Sequence, residues 1–258
     1  MNPSIDASGW LVDRFPGLER LGGGHHSLVY RAGNQVLKVY HQRGVASLER
    51  KNLETAGLAS LVVSQLSLPD GREVLVLRYF PGRPAVAADL PGAVPAIRSF
   101  LDQLHARPAG LVPADKVAER LRSFSPLLDP ALLPLFEAAE AAGGAVPAGF
   151  CHLDLWADNI LIAEDGRVMI VDWVRAGPED PLRDLALLKT GTLDLLPADQ
   201  SLELIGAGLP VHLLPRLRAH LVLTYLHDIY WLYRNDSDQY RAQFQDKLAR
   251  ARHVLAAL

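Results

Sequence analysis

Polar side chains able to bind a metal ion or accept a proton are concentrated between positions 151 and 188. They are His152, Asp154, Asn159, Asp172 and Asp184. Carboxylate and carboxamide oxygens are ligands that Mg²⁺ prefers, and a nearby free carboxylate can accept the proton of an attacking hydroxyl. Phosphoryl transfer requires such a set, because Mg²⁺ bridges the phosphates and the nucleophile must be oriented.

A predicted hairpin brings two of these residues together. Two apolar runs flank Asp165-Gly166, which is the strongest short signal for a two-residue hairpin turn. If those two residues form the turn, Asn159 and Asp172 face each other with Cβ atoms roughly 4.5–5.5 Å apart. That spacing suits two oxygen ligands of one hard cation. Asp154 precedes Asn159 in the loop that leads into the hairpin.

The order of these residues, His-x-Asp-x-x-x-x-Asn followed by an Asp on a strand, resembles the catalytic and metal-binding loops of the protein-kinase-like superfamily. The segments DLWADNIL, VDW and RAGPEDPLRDLA are similar to its aminoglycoside phosphotransferase and choline kinase branch. Protein kinases proper carry Arg after the His and Phe-Gly after the second Asp. This chain instead has Leu153 and Trp173-Val174 at those positions.

The resemblance implies an α+β, bilobal protein-kinase-like fold. It places a nucleotide-binding lobe at residues 1–80, with a five-stranded antiparallel sheet and one helix. A larger, mainly helical lobe at 81–258 would carry catalysis and acceptor binding, with a hinge at about 78–84. The Pro81-Gly82-Arg83-Pro84 cluster after an apolar run is typical of such a linker.

The local patterns give the expected elements of each lobe. Before the hinge, three strands are predicted between residues 18 and 40, one at 61–66 and one at 74–80, with a helix at 44–57. After the hinge, residues 91–149 are predicted to be helical, and Asp180 or Pro181 begins another helix. Further helices are expected at 199–207, 214–234 and 238–258.

Lys38 lies inside the apolar segment QVLKVY, where a buried ammonium needs a charged partner. The alternative is an edge strand with Lys38 pointing to water. The resemblance implies that Lys38 contacts the nucleotide phosphates and pairs with Glu49 on the following helix, with Glu54 as the second candidate. Three glycines precede Ser27, and the resemblance implies that a hydroxyl or amide of Ser27 meets a phosphate at the tip of that loop.

The remaining roles also follow from the resemblance. Mg²⁺ would be held by Asn159 and Asp172, and Asp154 would be the base or the group that orients the acceptor hydroxyl. His152 and Asp184 would support the loop without taking part in the chemistry.

The resemblance implies ATP or GTP as the co-substrate. In this family the hinge binds the base of the nucleotide through its backbone. The carbonyl of Arg78 and the N–H of Phe80 are the expected contacts with adenine.

The acceptor would be a small molecule with a hydroxyl group, and a cationic molecule is one candidate. Aromatic rings near two acids form a candidate cation-binding patch, for which packing of a C-terminal helix is the alternative. This predicted patch contains Tyr225, Tyr230, Trp231, Tyr233, Asp228 and Asp236. Acidic and basic residues are nearly balanced from Lys189 onward, which argues against a polycationic aminoglycoside as the native acceptor.

Composition and sequence pattern argue against several other classes of protein. A net charge of −3 argues against a protein that binds nucleic acid through phosphate contacts. A single cysteine rules out an internal disulfide and a multi-cysteine zinc site. The sequence has neither a signal-peptide pattern nor an apolar run of about 18 residues, so a cytoplasmic protein without a membrane partner is expected.

The sequence is also compatible with two other functions. The first is a catalytically silent nucleotide-binding protein of the same fold. The second is a metallohydrolase that uses His152, Asp154 and Asp172 as ligands of a transition metal. The identity of the bound metal separates a hydrolase from a kinase, because a hydrolase would carry Zn, Mn or Fe and need no nucleotide.

Overall fold

The computed structural model describes residues 4–24, 26–127, 129–235 and 237–258. Its N-terminal part is built on a five-stranded antiparallel sheet with the strand order β1-β2-β3-β5-β4. The strands are β1 (Glu19–Gly23), β2 (Ser27–Ala32), β3 (Gln35–Tyr40), β4 (Val62–Ser67) and β5 (Glu73–Arg78). Helix α2 (Val45–Thr55) follows β3, as the sequence predicts.

The alternation of side chains along β3 decides which residues reach the cleft. Leu37 and Val39 lie on one face, where they form a small core with Leu11 of helix α1 (Ser4–Arg14). Successive strand residues point to opposite faces, so Lys38 and Tyr40 point the other way, toward α2. Helix α1 was not anticipated, and the N-terminal sheet is therefore accompanied by two helices instead of one.

The C-terminal part is mainly helical. Its helices are α3 (Leu90–His105), α4 (Lys116–Ser123), α5 (Leu133–Glu140), α6 (Pro181–Gly191), α7 (Ala198–Gly206), α8 (Leu214–Asn235) and α9 (Ser237–Ala257). Helix α6 is buried along most of its length and packs against α8, whose own residues are largely buried. The predicted α+β, bilobal kinase-like architecture is confirmed, whereas the exact boundary between the lobes stays a prediction.

The predicted helical region at 91–149 is wrong in two places. Strand β7 (Pro108–Val112) follows α3, and strand β8 (Val146–Cys151) leads into the catalytic loop. They pair with each other, and β8 also pairs with β11 (Gly177–Glu179), so β8 is the central strand of a three-stranded sheet. Such short apolar segments carry no periodicity that distinguishes a strand from a buried helix, and only pairing with segments distant in the sequence decides between them.

The hairpin of strands β9 (Ile160–Ala163) and β10 (Val168–Ile170) has a different register from the predicted one. Ile160 pairs with Ile170, and the turn is one residue longer than the expected Asp165-Gly166 turn. Gly166 adopts φ 81°, the left-handed conformation typical of a three-residue hairpin loop. Asn159 therefore faces Val171, whose N–H donates to its carbonyl at 2.9 Å, and Asp172 lies one residue further on.

The hinge segment contributes a strand of its own, β6 (Gly82–Pro84), which pairs with β9. Gly82 is required there because a Cβ atom would lie 2.6 Å from the Phe80 ring and 3.1 Å from the backbone of Ile162. Within the described residues, no helix is both long enough and apolar enough to cross a membrane.

Candidate active site

Asp184 holds the start of the catalytic loop in place. Its carboxylate accepts hydrogen bonds from the backbone N–H of His152 at 2.7 Å and of Leu153 at 2.8 Å. The His105 ring lies 2.9 Å from the same carboxylate. Burial by itself raises the pKa of Asp184, but His105 and the backbone donors outweigh it, so the pKa is lowered. Leu153 takes a left-handed φ of 66°, which the two bonds to Asp184 help to maintain.

His152 is completely buried below this loop. Its Nε2 lies 3.1 Å from the carbonyl of Val171, and its Nδ1 lies 3.3 Å from the N–H of Asp154. Burial lowers the pKa of His152, so the ring is neutral, with Nε2–H as the donor and Nδ1 as the acceptor. Both ring nitrogens are thus occupied, and neither is free to bind a metal ion.

Asp154 lies at the open side of the loop with a side chain that is 20% exposed. The amide of Asn159 donates to the Asp154 carbonyl at 2.8 Å and to its carboxylate at 3.1 Å. Arg175 approaches the other carboxylate oxygen at 3.9 Å. Burial raises the pKa of Asp154 and the charge of Asp172 adds to this, whereas Arg175 opposes it.

Lys38 joins the two lobes. Its ammonium donates to both carboxylate oxygens of Glu49, at 2.8 and 2.7 Å, and to Asp172 at 2.8 Å. Burial by itself lowers the pKa of Lys38, but the two carboxylates outweigh it, so the pKa is raised and the ammonium stays charged. Glu54, the second candidate partner, instead forms an exposed pair with Arg50 at 2.9 Å.

Asp172 and Asn159 fit a hard cation. Asp172 accepts from Lys38 through Oδ1 and keeps a side chain that is 33% exposed, so the carboxylate is accessible from the cleft. The pKa of Asp172 is lowered, because the charge of Lys38 outweighs the effect of burial. Asn159 turns its amide nitrogen toward Asp154, which directs its amide oxygen elsewhere. An ionised carboxylate and a carboxamide oxygen are suitable donors for Mg²⁺.

A second group of potential ligands lies behind the loop, where His105, Cys151 and Asp184 approach one another within 4.8 Å. Asp184 already binds the loop backbone with both oxygens. Burial raises the pKa of the Cys151 thiol, which keeps it protonated. This group therefore supports the loop and is a poor metal site.

The glycine loop differs from expectation. Ser27 is the first residue of β2 and is 5% exposed, so it lies beyond the loop tip instead of at it. Part of the tip, His25, lies outside the described residues. The phosphate contact of Ser27 stays a prediction.

The predicted hinge residues begin at the end of β5. Arg78 ends β5, and Tyr79 donates from its backbone to Asn34 at 2.8 Å. Phe80 follows and accepts the N–H of Gly82 at 2.9 Å. The adenine contacts of Arg78 and Phe80 remain predictions.

A cavity of about 950 Å³ opens beside this hinge, between Arg83 and the Asp165 turn. Neither Asp154 nor Asp172 lines it. This cavity is therefore separate from the carboxylate cluster.

The predicted aromatic patch does not form as one surface. Tyr225 is completely buried, and its hydroxyl contacts Lys189 at 2.5 Å and Asp194 at 2.8 Å. Tyr230 and Trp231 line a separate cavity of about 370 Å³ together with Arg120 and Arg234. Two guanidinium groups would repel a cation there, so these rings do not support a cationic acceptor. Asp236 lies outside the described residues.

Sequence reasoning missed three residues that shape the site: His105, Asn52 and Arg175. Arg175 has a local signal, because it lies close after Asp172 in the same loop. No local pattern marks His105 or Asn52, because each forms a hydrogen bond with a segment distant in the sequence.

Comparisons with known proteins identify the family and the fold. The model of the phosphotransferase enzyme family matches residues 17–220. A search of curated proteins finds no match.

Solved structures share the fold. A choline/ethanolamine kinase family protein from Mesorhizobium loti is 23% identical, with a TM-score of 0.68 over 97% of this chain and 94% of that one. A thermostable mutant of aminoglycoside phosphotransferase APH(4)-Ia bound to AMP-PNP and hygromycin B is 17% identical, with a TM-score of 0.72 over 99% and 100%. Wild-type aminoglycoside 2'-phosphotransferase-IIIa with GDP is 17% identical, with a TM-score of 0.67 over 99% of each chain. Because the family model spans most of its length, the chain belongs to the phosphotransferase enzyme family.

Proposed function

We propose that the protein transfers the γ-phosphoryl group of ATP or GTP to a hydroxyl of a small molecule. The products are a phosphate monoester and the nucleoside diphosphate. The observation that supports this most directly is the bridge from Lys38 to Glu49 and Asp172, which joins a phosphate-binding cation to a metal-binding carboxylate across the cleft.

Each residue has a distinct part in the proposed reaction. Lys38 binds phosphate oxygens and keeps its charge because Glu49 remains beside it. Asp172 and Asn159 would hold Mg²⁺, which neutralises charge on the phosphates when bound. Asp154 accepts the hydrogen bond of the acceptor hydroxyl and takes its proton as the bond to phosphorus forms. Since phosphoryl transfer is loose, much of the contribution of Asp154 lies in orienting that hydroxyl.

The two alternative functions receive less support. A metallohydrolase needs His152 as a ligand, but both nitrogens of its ring are engaged within the protein. A silent nucleotide-binding protein does not need a partly exposed Asp154 held by Asn159 beside the metal-binding carboxylate. That arrangement favours a working phosphotransferase.

The acceptor belongs to a broad class. One structural neighbour is a ternary complex with AMP-PNP and hygromycin B, and another belongs to the choline/ethanolamine kinase family. Hydroxylated small molecules are common to both. At the identities observed, these names suggest compounds to test and no single substrate.

The test is a turnover assay with Mg²⁺ and either ATP or GTP against hydroxylated acceptors. The panel contains aminoglycosides, macrolides, choline, ethanolamine, fructosamines and homoserine, and release of nucleoside diphosphate is followed. Glu49→Gln and Glu54→Gln form a matched pair of variants, because both Glu residues lie on α2 and only Glu49 contacts Lys38.

We expect release that depends on one acceptor, is strongly reduced in Glu49→Gln and is unchanged in Glu54→Gln. Nucleotide binding without transfer to any acceptor would favour the silent binder. Absence of both nucleotide binding and release would refute the proposed function.

A further inference from the structure

Helix α2 holds the peptide groups on both sides of Trp173, the residue that follows Asp172. The N–H of Trp173 donates to Glu49 Oε1 at 3.2 Å. The carbonyl of Trp173 accepts from Asn52 Nδ2 at 2.8 Å. Glu49 and Asn52 are three residues apart on the helix and so share one face. Both are buried, at 1% and 5% exposure, and the two contacts form a backbone clamp on Trp173.

The clamp acts beside a strained residue. Asp172 adopts φ 67° and ψ 71°, in the left-handed region that side chains with a Cβ rarely occupy. Such a conformation persists only where the surrounding structure imposes it. The ring of Trp173 is also fixed, because its Nε1 donates to the Ile170 carbonyl at 3.0 Å and it is 1% exposed. The N–H, the carbonyl and the ring of the residue after Asp172 are therefore all held by hydrogen bonds.

Glu49 is itself fixed in position. The hydroxyl of Tyr40 donates to Glu49 Oε2 at 2.5 Å, and Lys38 donates to both oxygens. Glu49 is thus occupied by three donors, counting the N–H of Trp173. Asn52 makes no contact with Lys38 in this network, and its bond ties the Trp173 carbonyl to α2. The same carbonyl also accepts the N–H of Ala176 at 3.2 Å within its own loop.

We propose that Asn52 is a positioning residue, whose bond to the Trp173 carbonyl keeps Asp172 in the left-handed conformation that directs its carboxylate into the cleft. This inference rests on the proposed function, because it concerns the metal-binding role of Asp172. Without the amide donor, the Trp173 carbonyl loses its contact with α2, and the bond from the Trp173 N–H to Glu49 alone ties this backbone to the helix. Asp172 then leaves its left-handed conformation more readily, and its carboxylate turns away from Lys38 and from the position where it would hold Mg²⁺.

The test replaces Asn52 in two ways. Asn52→Leu has a similar size and no donor, and Asn52→Asp keeps the shape while the donating amide is lost. Thr224→Val is the matched control, because Thr224 is buried and bonds the His220 carbonyl within α8, far along the chain from the cleft. The control reports the loss of a buried hydrogen bond that has no connection with Asp172.

Two measurements are made on each full-length variant. The first is Mn²⁺ affinity in the presence of ADP, followed by the electron spin resonance of free Mn²⁺. The second is the Mg²⁺ concentration for half-maximal turnover. Removing a group that orients a metal ligand typically weakens metal binding by about 10–100-fold. We expect that loss in both Asn52 variants, with an unchanged KM for the acceptor and with wild-type metal affinity in Thr224→Val.

The outcomes separate this inference from the proposed function. Wild-type Mn²⁺ affinity in a folded Asn52 variant would overturn the positioning role and leave the phosphotransferase intact. A loss of thermal stability equal to that of Thr224→Val, with no change in metal affinity, would likewise reduce Asn52 to a packing role. Failure of the unaltered protein to bind Mn²⁺ with ADP would instead refute the proposed function, and the metal role of Asn52 with it.

Discussion

Asp172 and Asp180 lie close together in the sequence, but the two clusters of buried charge to which they belong differ in what they leave accessible. In the cleft, Lys38 bridges Glu49 and Asp172, and Asp172 remains one-third exposed. In the C-terminal lobe, Asp180 accepts from Arg216 at 2.6 Å, from His220 at 2.9 Å and from the backbone of α6 at 3.0 Å. The side chain of Asp180 is 6% exposed.

This contrast distinguishes the candidate active site in the cleft from the Asp180 cluster, which stabilises the fold. Both clusters shift the pKa values of their members, so perturbed titration alone does not identify chemistry. Asp180 accepts three hydrogen bonds within the protein and joins α6 to α8. Asp172 and Asp154 keep carboxylate surface that faces the cleft. We therefore expect changes in the cleft to affect turnover and changes at Asp180 to affect stability.

The largest expected effect on turnover comes from Asp154→Asn. The amide has the same shape but does not accept the hydroxyl proton, so kcat should fall by about 10²–10⁴-fold. Among the described residues, the carboxylate of Asp154 contacts Asn159 and Arg175, and the backbone bonds of Asp154 survive the substitution, so Tm should change little. Steady-state kinetics and thermal unfolding of the same preparation check both statements.

Asp158→Asn is the matched control for this prediction. Asp158 lies in the same loop and is exposed, so the kcat of the Asp158→Asn variant should match that of the unaltered protein. Near wild-type turnover in Asp154→Asn would remove Asp154 from the chemistry. A large fall in both variants would show only that the loop tolerates no change.

The sequence predicts the residues of the cleft better than it predicts the contacts that position them. Asp154, Asn159 and Asp172 lie within one local motif, and the pairing of Lys38 with Glu49 follows from the family resemblance. The capping of α6 by Asp180 is also readable locally, because an Asp before Pro181 is a typical helix start.

Contacts between distant segments were not predictable in this way. The bonds from His105 to Asp184 and from Asn52 to Trp173 depend on how helices pack after folding. The predicted hairpin register was wrong. Gly166 adopts a left-handed conformation in a turn one residue longer, which the Asp-Gly pair alone does not reveal. Local patterns thus predict which residues react, and tertiary packing determines how they are oriented.

Asp180→Asn tests the opposite side of the comparison. The amide keeps the shape but leaves Arg216 without its counter-charge, and breaking a buried pair in this way costs about 3–5 kcal/mol. We expect the lower end of that range, because the Arg216 side chain is 21% exposed and can reach water. Chemical denaturation measures the loss, and kcat at 25 °C should be close to that of the unaltered protein.

Glu54→Gln is the control for this loss of stability. It breaks the exposed pair of Glu54 with Arg50, and such helix pairs contribute only about 0.3–0.5 kcal/mol. If Asp180→Asn lost kcat as severely as Asp154→Asn while remaining folded, the distinction between the two clusters would fail.

The smallest expected effect comes from Arg175→Met, which alters the pH dependence of the cleft. Burial raises the pKa of Asp154, and Arg175 opposes that rise with its charge. Removing this charge therefore raises the pKa further. The active form is the carboxylate, so activity is lost at a higher pH as the solution is acidified. The acid limb of the kcat profile should move to higher pH, measured at low ionic strength.

The size of this shift should itself depend on salt. The Arg175 side chain is 55% exposed, and its charge acts on Asp154 across 3.9 Å partly through solvent. Salt screens such an interaction, so the profiles of the unaltered protein and of Arg175→Met should approach each other as ionic strength rises. Arg167→Met, which removes an exposed guanidinium paired with Asp165 in the hairpin turn, should leave the profile in place. A shift to lower pH in Arg175→Met, or an equal shift in Arg167→Met, would mean that Asp154 is not the group whose ionisation limits turnover.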